Sequence, residues 1–202
     1  GSGGPYENLA SGLYAAKKEQ YDLAIKKLEA YLKLEKLTQE QSRYRDGAML
    51  TLGRAYYATG KFDRAIEYFK KISKESNHMV RGLSEMAWSF LLNKQYKEAI
   101  GTALNFQTGG FQKTFAPDAL MVLAMALNEF CQYPTALKSV TLLRQFYRPS
   151  YHWLKQWAGT KKNADLYQLA LQYLESGKSD VPARVISEWI RSPVFISHQE
   201  EM

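Results

Sequence analysis

Residues 52–69, with the sequence LGRAYYATGKFDRAIEYF, carry the clearest structural signal in this 202-residue chain. The stretch consists of two short segments of mixed apolar and polar residues, one on each side of a turn that contains Gly60. Small residues, Gly53 in the first segment and Ala65 in the second, permit the close approach that two antiparallel helices require. Three aromatic side chains fill the wedge beside that contact: Tyr56, Phe62 and Phe69. The stretch therefore predicts a helical hairpin.

The second half of this stretch recurs along the chain. An aromatic residue, two further residues, an alanine and an aliphatic residue occur in that order four times. The alanines are Ala24, Ala65, Ala99 and Ala136, which lie 41, 34 and 37 residues apart. One helical hairpin cannot bury its apolar face alone, so repeated hairpins are expected to stack on one another.

The recurring unit resembles the tetratricopeptide repeat family. The resemblance is clearest over residues 46–79, where the family pattern is met in order by Leu52, Gly53, Tyr56, Gly60, Phe62, Ala65 and Phe69. Three further segments match less completely, over about residues 5–38, 80–113 and 117–150. The resemblance implies an all-α fold, a right-handed α-solenoid of about four helical hairpins.

The repeat pattern ends at residue 150, and shorter helices are expected beyond it, near residues 151–158, 164–176 and 182–191. We expect residues 151–196 to cap the open end of the stack, because a terminal repeat otherwise leaves an apolar face uncovered. The polar residues 197–202 are expected to fray.

The first four residues, GSGG, have the composition of a cloning scar. A signal peptide or lipid anchor that preceded Pro5 in the natural protein would then be missing from the chain. Membrane association through such an N-terminal anchor is therefore one expectation for the natural protein.

Several classes of chemistry are disfavoured. The single cysteine, Cys131, excludes an internal disulfide framework and a cysteine-based zinc site. The histidines stand outside any catalytic or metal-binding motif, and no glycine-rich phosphate loop is present. The longest apolar run, residues 119–127, is much shorter than the roughly 20 residues that span a bilayer. We therefore predict a protein without enzymatic activity, cofactor or metal.

In the tetratricopeptide repeat family the first helix of each repeat lines a groove that holds a peptide or a helix of a partner protein. The resemblance assigns these positions to that groove: Leu50, Arg54, Tyr57, Arg81, Ser84, Trp88, Leu91, Leu92, Met121, Met125, Asn128 and Glu129. The paired Lys and Asn residues with which some members bind a C-terminal carboxylate are absent here. An apolar groove containing Met and Trp suits an amphipathic helix or a hydrophobic peptide, which implies a scaffold or adaptor. The alternative is that the C-terminal helices fold into the groove and cover these residues.

A second candidate surface is basic. Lys and Arg exceed Asp and Glu by 27 to 20, a formal net charge of +7, and no acidic residue lies between Glu129 and Asp165. The basic residues of this segment are Lys138, Arg144, Arg148, Lys155, Lys161 and Lys162, and they alternate with aromatic residues. Such a segment can bind an anionic membrane surface or nucleic acid, although no nucleic-acid-binding motif is present. Alternatively, its aromatic residues pack at the end of the stack, since Trp153 and Trp157 are one helical turn apart.

Short motifs in residues 117–120, 133–137, 144–149 and 181–185 resemble those of envelope-associated repeat proteins of Gram-negative bacteria, some of which serve surface or gliding-motility machinery. This resemblance implies a location in the periplasm or at the outer membrane. The cytoplasm is the alternative.

Overall fold

The computed structural model describes residues 4–34, 44–108, 111, 114–158 and 163–200, and all regular secondary structure in these residues is helical. The all-α prediction is therefore confirmed. The chain divides into two compact units, residues 1–102 and 103–202.

The first unit is a succession of helical hairpins. Its helices are α1 (Pro5–Lys17), α2 (Tyr21–Leu32), α3 (Arg45–Ala58), α4 (Phe62–Lys70) and α5 (Met79–Leu92), followed by α6 (Tyr96–Leu104), which continues two residues into the second unit. From α1 to α5 each helix packs against the next. The first helix of each hairpin also contacts the first helix of the following one, α1 with α3 and α3 with α5. This succession is the stacking that the sequence repeat predicts.

The core of this unit lies where the hairpins meet. Leu28, Tyr31, Leu52 and Ala65 are completely shielded from solvent, and Phe69 is nearly so. Such close packing requires small residues. At Gly12, for example, an added side-chain carbon would lie only 2.7 Å from Leu28.

The turn inside each hairpin repeats one backbone geometry. The residue with a left-handed conformation is Glu19 (φ 59°), Gly60 (φ 73°), Lys94 (φ 59°) or Cys131 (φ 56°). In every case the amide of the next residue donates a 2.9 Å hydrogen bond to the carbonyl five positions earlier, as from Lys61 to Tyr56. This pattern satisfies carbonyls that the end of a helix otherwise leaves unpaired. The four left-handed residues have the same 41-, 34- and 37-residue spacings as the repeated alanines.

A polar cluster joins α2 to the following hairpin. One carboxylate oxygen of Glu29 accepts hydrogen bonds from the hydroxyls of Tyr56 at 2.6 Å and Tyr68 at 3.1 Å, and from Arg64 at 3.1 Å. The Arg64 guanidinium also lies 5.4 Å from the centres of both tyrosine rings. Burial of Glu29 opposes its ionisation, but these donors and Lys33 outweigh that cost and lower its pKa below the ordinary value. Burial and the bond to Glu29 raise the pKa of Tyr68 to about 12.

The second unit contains a short 3₁₀ turn (Asn105–Gln107), then α7 (Pro117–Glu129), α8 (Tyr133–Ala158), α9 (Asn163–Ser176), α10 (Ala183–Ile190) and α11 (Pro193–Glu200). Helix α7 packs on α8, α9 on α10, and α10 on α11. A small core of Ala170, Val181, Ile186 and Phe195 lies among the last helices, with Trp153 of α8 packed against it. Helices α9 and α10 confirm the helices predicted near 164–176 and 182–191.

One prediction for this unit is wrong. The helix expected over 151–158 is not separate, because α8 runs without interruption from Tyr133 to Ala158 with Pro149 inside it. Proline lacks the amide hydrogen for the carbonyl four residues earlier, at a cost of about 3 kcal/mol, yet the helix continues because Ser150 and Trp153 pack beyond it. The described part of the tail, residues 197–200, is helical as the end of α11, and the fraying of residues 197–202 stays a prediction.

Candidate functional site

A small open cavity lies between the first helices of two successive hairpins in the first unit. Its described lining residues are Arg54 and Tyr57 from α3, and Glu85 and Trp88 from α5, and its volume is about 270 Å³. Residues three positions apart share one face of a helix, so each helix contributes one charged and one aromatic side chain. The direct contact between α3 and α5 brings these two faces together.

The charged residues form one ion pair across the cavity. The Arg54 Nε lies 2.9 Å from Oε1 and 2.8 Å from Oε2 of Glu85, and the Arg54 Nη2 also donates to Oε1. Hydrogen bonding to Glu85 raises the pKa of Arg54 above its ordinary value. Because each charge is matched by the other, this wall is polar but electrically neutral.

The aromatic residues form the apolar walls. Tyr57 and Trp88 are both half-buried, so each keeps part of its ring open to solvent. The Tyr57 ring stands edge-on to Phe62 of α4, with ring centres 5.5 Å apart. The cavity therefore combines two aromatic surfaces with a planar guanidinium–carboxylate pair.

The structure separates the predicted groove residues into exposed and buried groups. Arg54, Tyr57 and Trp88 line the cavity, and Arg81 and Leu92 are exposed elsewhere on α5.

Leu50 and Leu91 are only 3% and 6% exposed, and Ser84 is likewise buried. These three side chains belong to the packed interior, and their assignment to the groove is wrong. Helices α3 and α5 pack against neighbours on more than one side, so much of each helix surface is covered.

The remaining groove candidates lie in the second unit. Met121 and Met125 are 42% and 47% exposed on α7, where Asn128 and Glu129 are also exposed. A cavity of about 510 Å³ between α7 and α8 is lined by Ala124, Met125, Asn128, Glu129, Tyr133, Ala136, Leu137 and Val140. It is a separate, mainly apolar surface with Glu129 at its margin.

The basic segment lies mostly on one helix. Lys138, Arg144, Arg148 and Lys155 are all exposed on α8, whereas Lys161 and Lys162 lie outside the described residues. Trp153 and Trp157 stack with ring centres 6.0 Å apart, and Trp153 packs against the core of the last helices. The tryptophans are therefore packing residues, and the cations remain at the surface.

Sequence reasoning missed Glu85, which neutralises Arg54. The available signal was its position three residues before Trp88 on the same helix, together with a charge opposite to that of Arg54. The polar cluster at Glu29 was also missed, because the side chains that meet there come from three helices.

Among the described residues, no group of three His, Cys, Asp or Glu side chains is arranged to hold a metal ion. The described helices also include none with the length and apolar character required to cross a bilayer. The geometry of the cavity is suited to holding a side chain of another molecule by contact.

The chain is similar to two solved structures of MamA. The MamA structure from MSR-1, crystal form C2, is 14% identical, covers 96% of this chain and 98% of that chain, and has a TM-score of 0.54. The MamA structure from AMB-1, crystal form P212121, is 16% identical, covers 96% of each chain and has a TM-score of 0.55. At this identity the likeness concerns the fold. No curated protein sequence matches the chain.

A tetratricopeptide repeat family model matches residues 9–79 and 50–105. These residues contain the hairpins α1–α2 and α3–α4, apart from the first four residues of α1, together with helices α5 and α6 and the four cavity side chains. The repeat motif, the stacked hairpins and the family model therefore agree that residues 9–105 are similar to the tetratricopeptide repeat family.

Proposed function

We propose that the chain is a non-catalytic scaffold or adaptor that binds another protein at the cavity formed by Arg54, Tyr57, Glu85 and Trp88. The observation that carries this proposal is the half-open aromatic cavity between the first helices of successive repeats. The family model supports it, because tetratricopeptide repeats are protein-binding modules.

The cavity favours one type of anchor. Its volume of about 270 Å³ lies just below the range of about 300–1,000 Å³ that is typical of pockets for whole small molecules, and two of its four described lining residues are aromatic. Arg54 is already paired with Glu85, so a carboxylate on the partner would have to displace an existing bidentate bond. We infer that the partner inserts a large apolar or aromatic side chain from a peptide or an amphipathic helix.

A peptide selection tests this proposal directly, because it does not require the natural partner. Peptides displayed on phage are selected on the intact chain, and the dissociation constants of the recovered peptides are measured for the unchanged chain and for Trp88→Ala. We expect Trp88→Ala to weaken binding by about 2 kcal/mol, roughly thirtyfold, as truncation of a central aromatic residue does.

Tyr14→Ala is the matched control, because Tyr14 is an aromatic residue of the same unit that is 62% exposed and lies on a different helix. It should bind the selected peptides as the unchanged chain does. Equal affinity of the Trp88→Ala and unchanged chains would reject the cavity as the binding site.

We also propose that the protein works in a bacterial envelope complex. The support is the resemblance of residues 117–120, 133–137, 144–149 and 181–185 to motifs of such proteins. Fractionation of the natural host with an antibody to the chain tests this location, and recovery in the cytoplasmic fraction alone would reject it.

A further inference from the structure

The uninterrupted course of α8 arranges part of the basic segment in one line. Arg144, Arg148, Tyr151 and Lys155 follow each other at intervals of four, three and four residues on this helix. Such intervals place side chains on one face of an α-helix. Had the helix ended at Pro149, Lys155 would not have been in register with Arg144. At about 1.5 Å per residue, the stripe extends about 16 Å from Arg144 to Lys155.

The stripe faces solvent along its length. Its three cations are exposed, and Tyr151 between them is 61% exposed. Leu137, two turns before Arg144 on the same face, is 67% exposed. The segment between Glu129 and Asp165 contains no acidic residue that could neutralise these cations from the same helix.

We propose that this basic stripe, formed by Arg144, Arg148, Tyr151 and Lys155, docks the chain on the surface of an anionic lipid membrane. Basic side chains near a membrane surface are attracted by acidic headgroups. Exposed Tyr151 and Leu137 supply the aromatic and apolar groups that enter the interfacial region. The proposal is independent of the protein-binding cavity, since it uses a different helix and a different unit.

Another helix is a poorer match for this surface. Helices pair through a continuous apolar seam with charges at its edges, whereas here the cations occupy the centre of the exposed face. A lipid surface requires no such seam. Nucleic acid is the other anionic polymer that a basic stripe can attract, and the experiment separates it from lipid.

Vesicle sedimentation tests the stripe. The full chain is mixed with vesicles of phosphatidylcholine alone or of phosphatidylcholine with phosphatidylserine, and the bound fraction is measured at low and high salt. We expect binding to the phosphatidylserine vesicles only, weakened by salt. Each basic residue is expected to strengthen the affinity for the membrane about fivefold, equivalent to about 1 kcal/mol. The triple variant Arg144→Gln, Arg148→Gln, Lys155→Gln should therefore bind roughly a hundredfold more weakly.

The matched control carries the same change in net charge away from the stripe: Lys26→Gln, Lys97→Gln and Lys138→Gln, all at exposed positions. Lys138 is especially informative, because it lies on α8 itself but about 100° around the helix from the stripe. This control should retain binding within a few-fold. Arg148→Gln alone, expected to lose about fivefold, provides a second variant if the triple change disturbs the circular dichroism spectrum.

Three outcomes would overturn the proposal. In the first, the unchanged chain does not bind the phosphatidylserine vesicles. The two triple variants could lose binding equally, which would assign the effect to net charge. A single-stranded oligonucleotide, tested in parallel, could be bound through the stripe while vesicles are not, which would identify nucleic acid as the occupant.

Discussion

Gly53 of α3 lies directly against the ring of Phe69 of α4, so closely that a side-chain carbon added at Gly53 would come within 3 Å of three ring atoms. The contact joins the two helices of one hairpin at the point where the sequence requires a small residue. Phe69 is almost completely buried, so its ring has little freedom to move away.

Gly53→Leu should therefore force α3 and α4 apart. Overpacking of this kind costs about 1–3 kcal/mol, and more where a backbone is involved. Gly12→Leu, at the corresponding position of the first hairpin, should cost less, because it meets the flexible side chain of Leu28 and belongs to a terminal repeat with one neighbour. Urea unfolding measures the loss of unfolding free energy in each variant. Equal losses in Gly53→Leu and Gly12→Leu would count against the repeat alignment.

The left-handed turn residues allow a test of backbone strain. Lys94→Gly should stabilise the chain by about 0.5–1 kcal/mol, because left-handed conformations strain a residue with a side chain and glycine relieves that strain at a smaller entropic cost. Gly60→Ala should destabilise it by about 1 kcal/mol, purely through the backbone, since no atom lies within 4 Å of the added carbon. Thermal unfolding of both variants checks the opposite signs.

Glu29→Gln should reduce stability in a pH-dependent way. The folded chain lowers the pKa of Glu29, so its stabilising effect is complete above the ordinary glutamate range and is lost as the pH falls through the lowered value. The difference in unfolding free energy between the unchanged chain and Glu29→Gln should thus be largest near neutral pH and shrink in acid. A constant difference at all pH values would argue against an ionised Glu29 in the cluster.

Trp88 and Phe69 should respond differently to truncation. Phe69→Ala removes a core ring and should cost about 3–5 kcal/mol of stability. Trp88→Ala should cost much less, because its ring is half-buried in an open cavity. Chemical denaturation compares the two. A loss for Trp88→Ala as large as that for Phe69→Ala would favour the alternative in which other parts of the chain cover the groove.

Pro149→Ala should stabilise the second unit. The exposed proline interrupts the hydrogen bonds of α8 without supplying a buried contact, and its replacement by alanine recovers up to about 3 kcal/mol of helix stability. The measurement is amide hydrogen exchange along α8, which should be slower in the variant than in the unchanged chain. Faster exchange in the variant would mean that the proline is needed for the course of the helix.

The hairpins were predictable because each depends on local features. The alanine of the repeated phrase, the small residue that faces it and the intervening turn all lie within about one repeat length of each other. The predicted all-α class and the helices near 164–176 and 182–191 rest on such short-range patterns.

The sequence predictions that were wrong or incomplete depend on contacts between residues that are distant in the sequence. Leu50 and Leu91 were assigned to the groove from their place in a repeat, but their burial depends on how neighbouring hairpins cover them. Pro149 predicts a helix end by local rules, and packing by Ser150 and Trp153 overrides them. Glu85 was missed because its partner lies 31 residues away.

The Arg54–Glu85 pair has a consequence for how fast and how selectively the cavity is filled. It joins α3 to α5, while the edge contact with Phe62 orients Tyr57, so two walls are fixed before any partner arrives. A preorganised cavity of this kind avoids much of the entropic cost of ordering side chains on binding. The corresponding expectation is association without a slow conformational step, with differences between partners appearing mainly in their rates of dissociation.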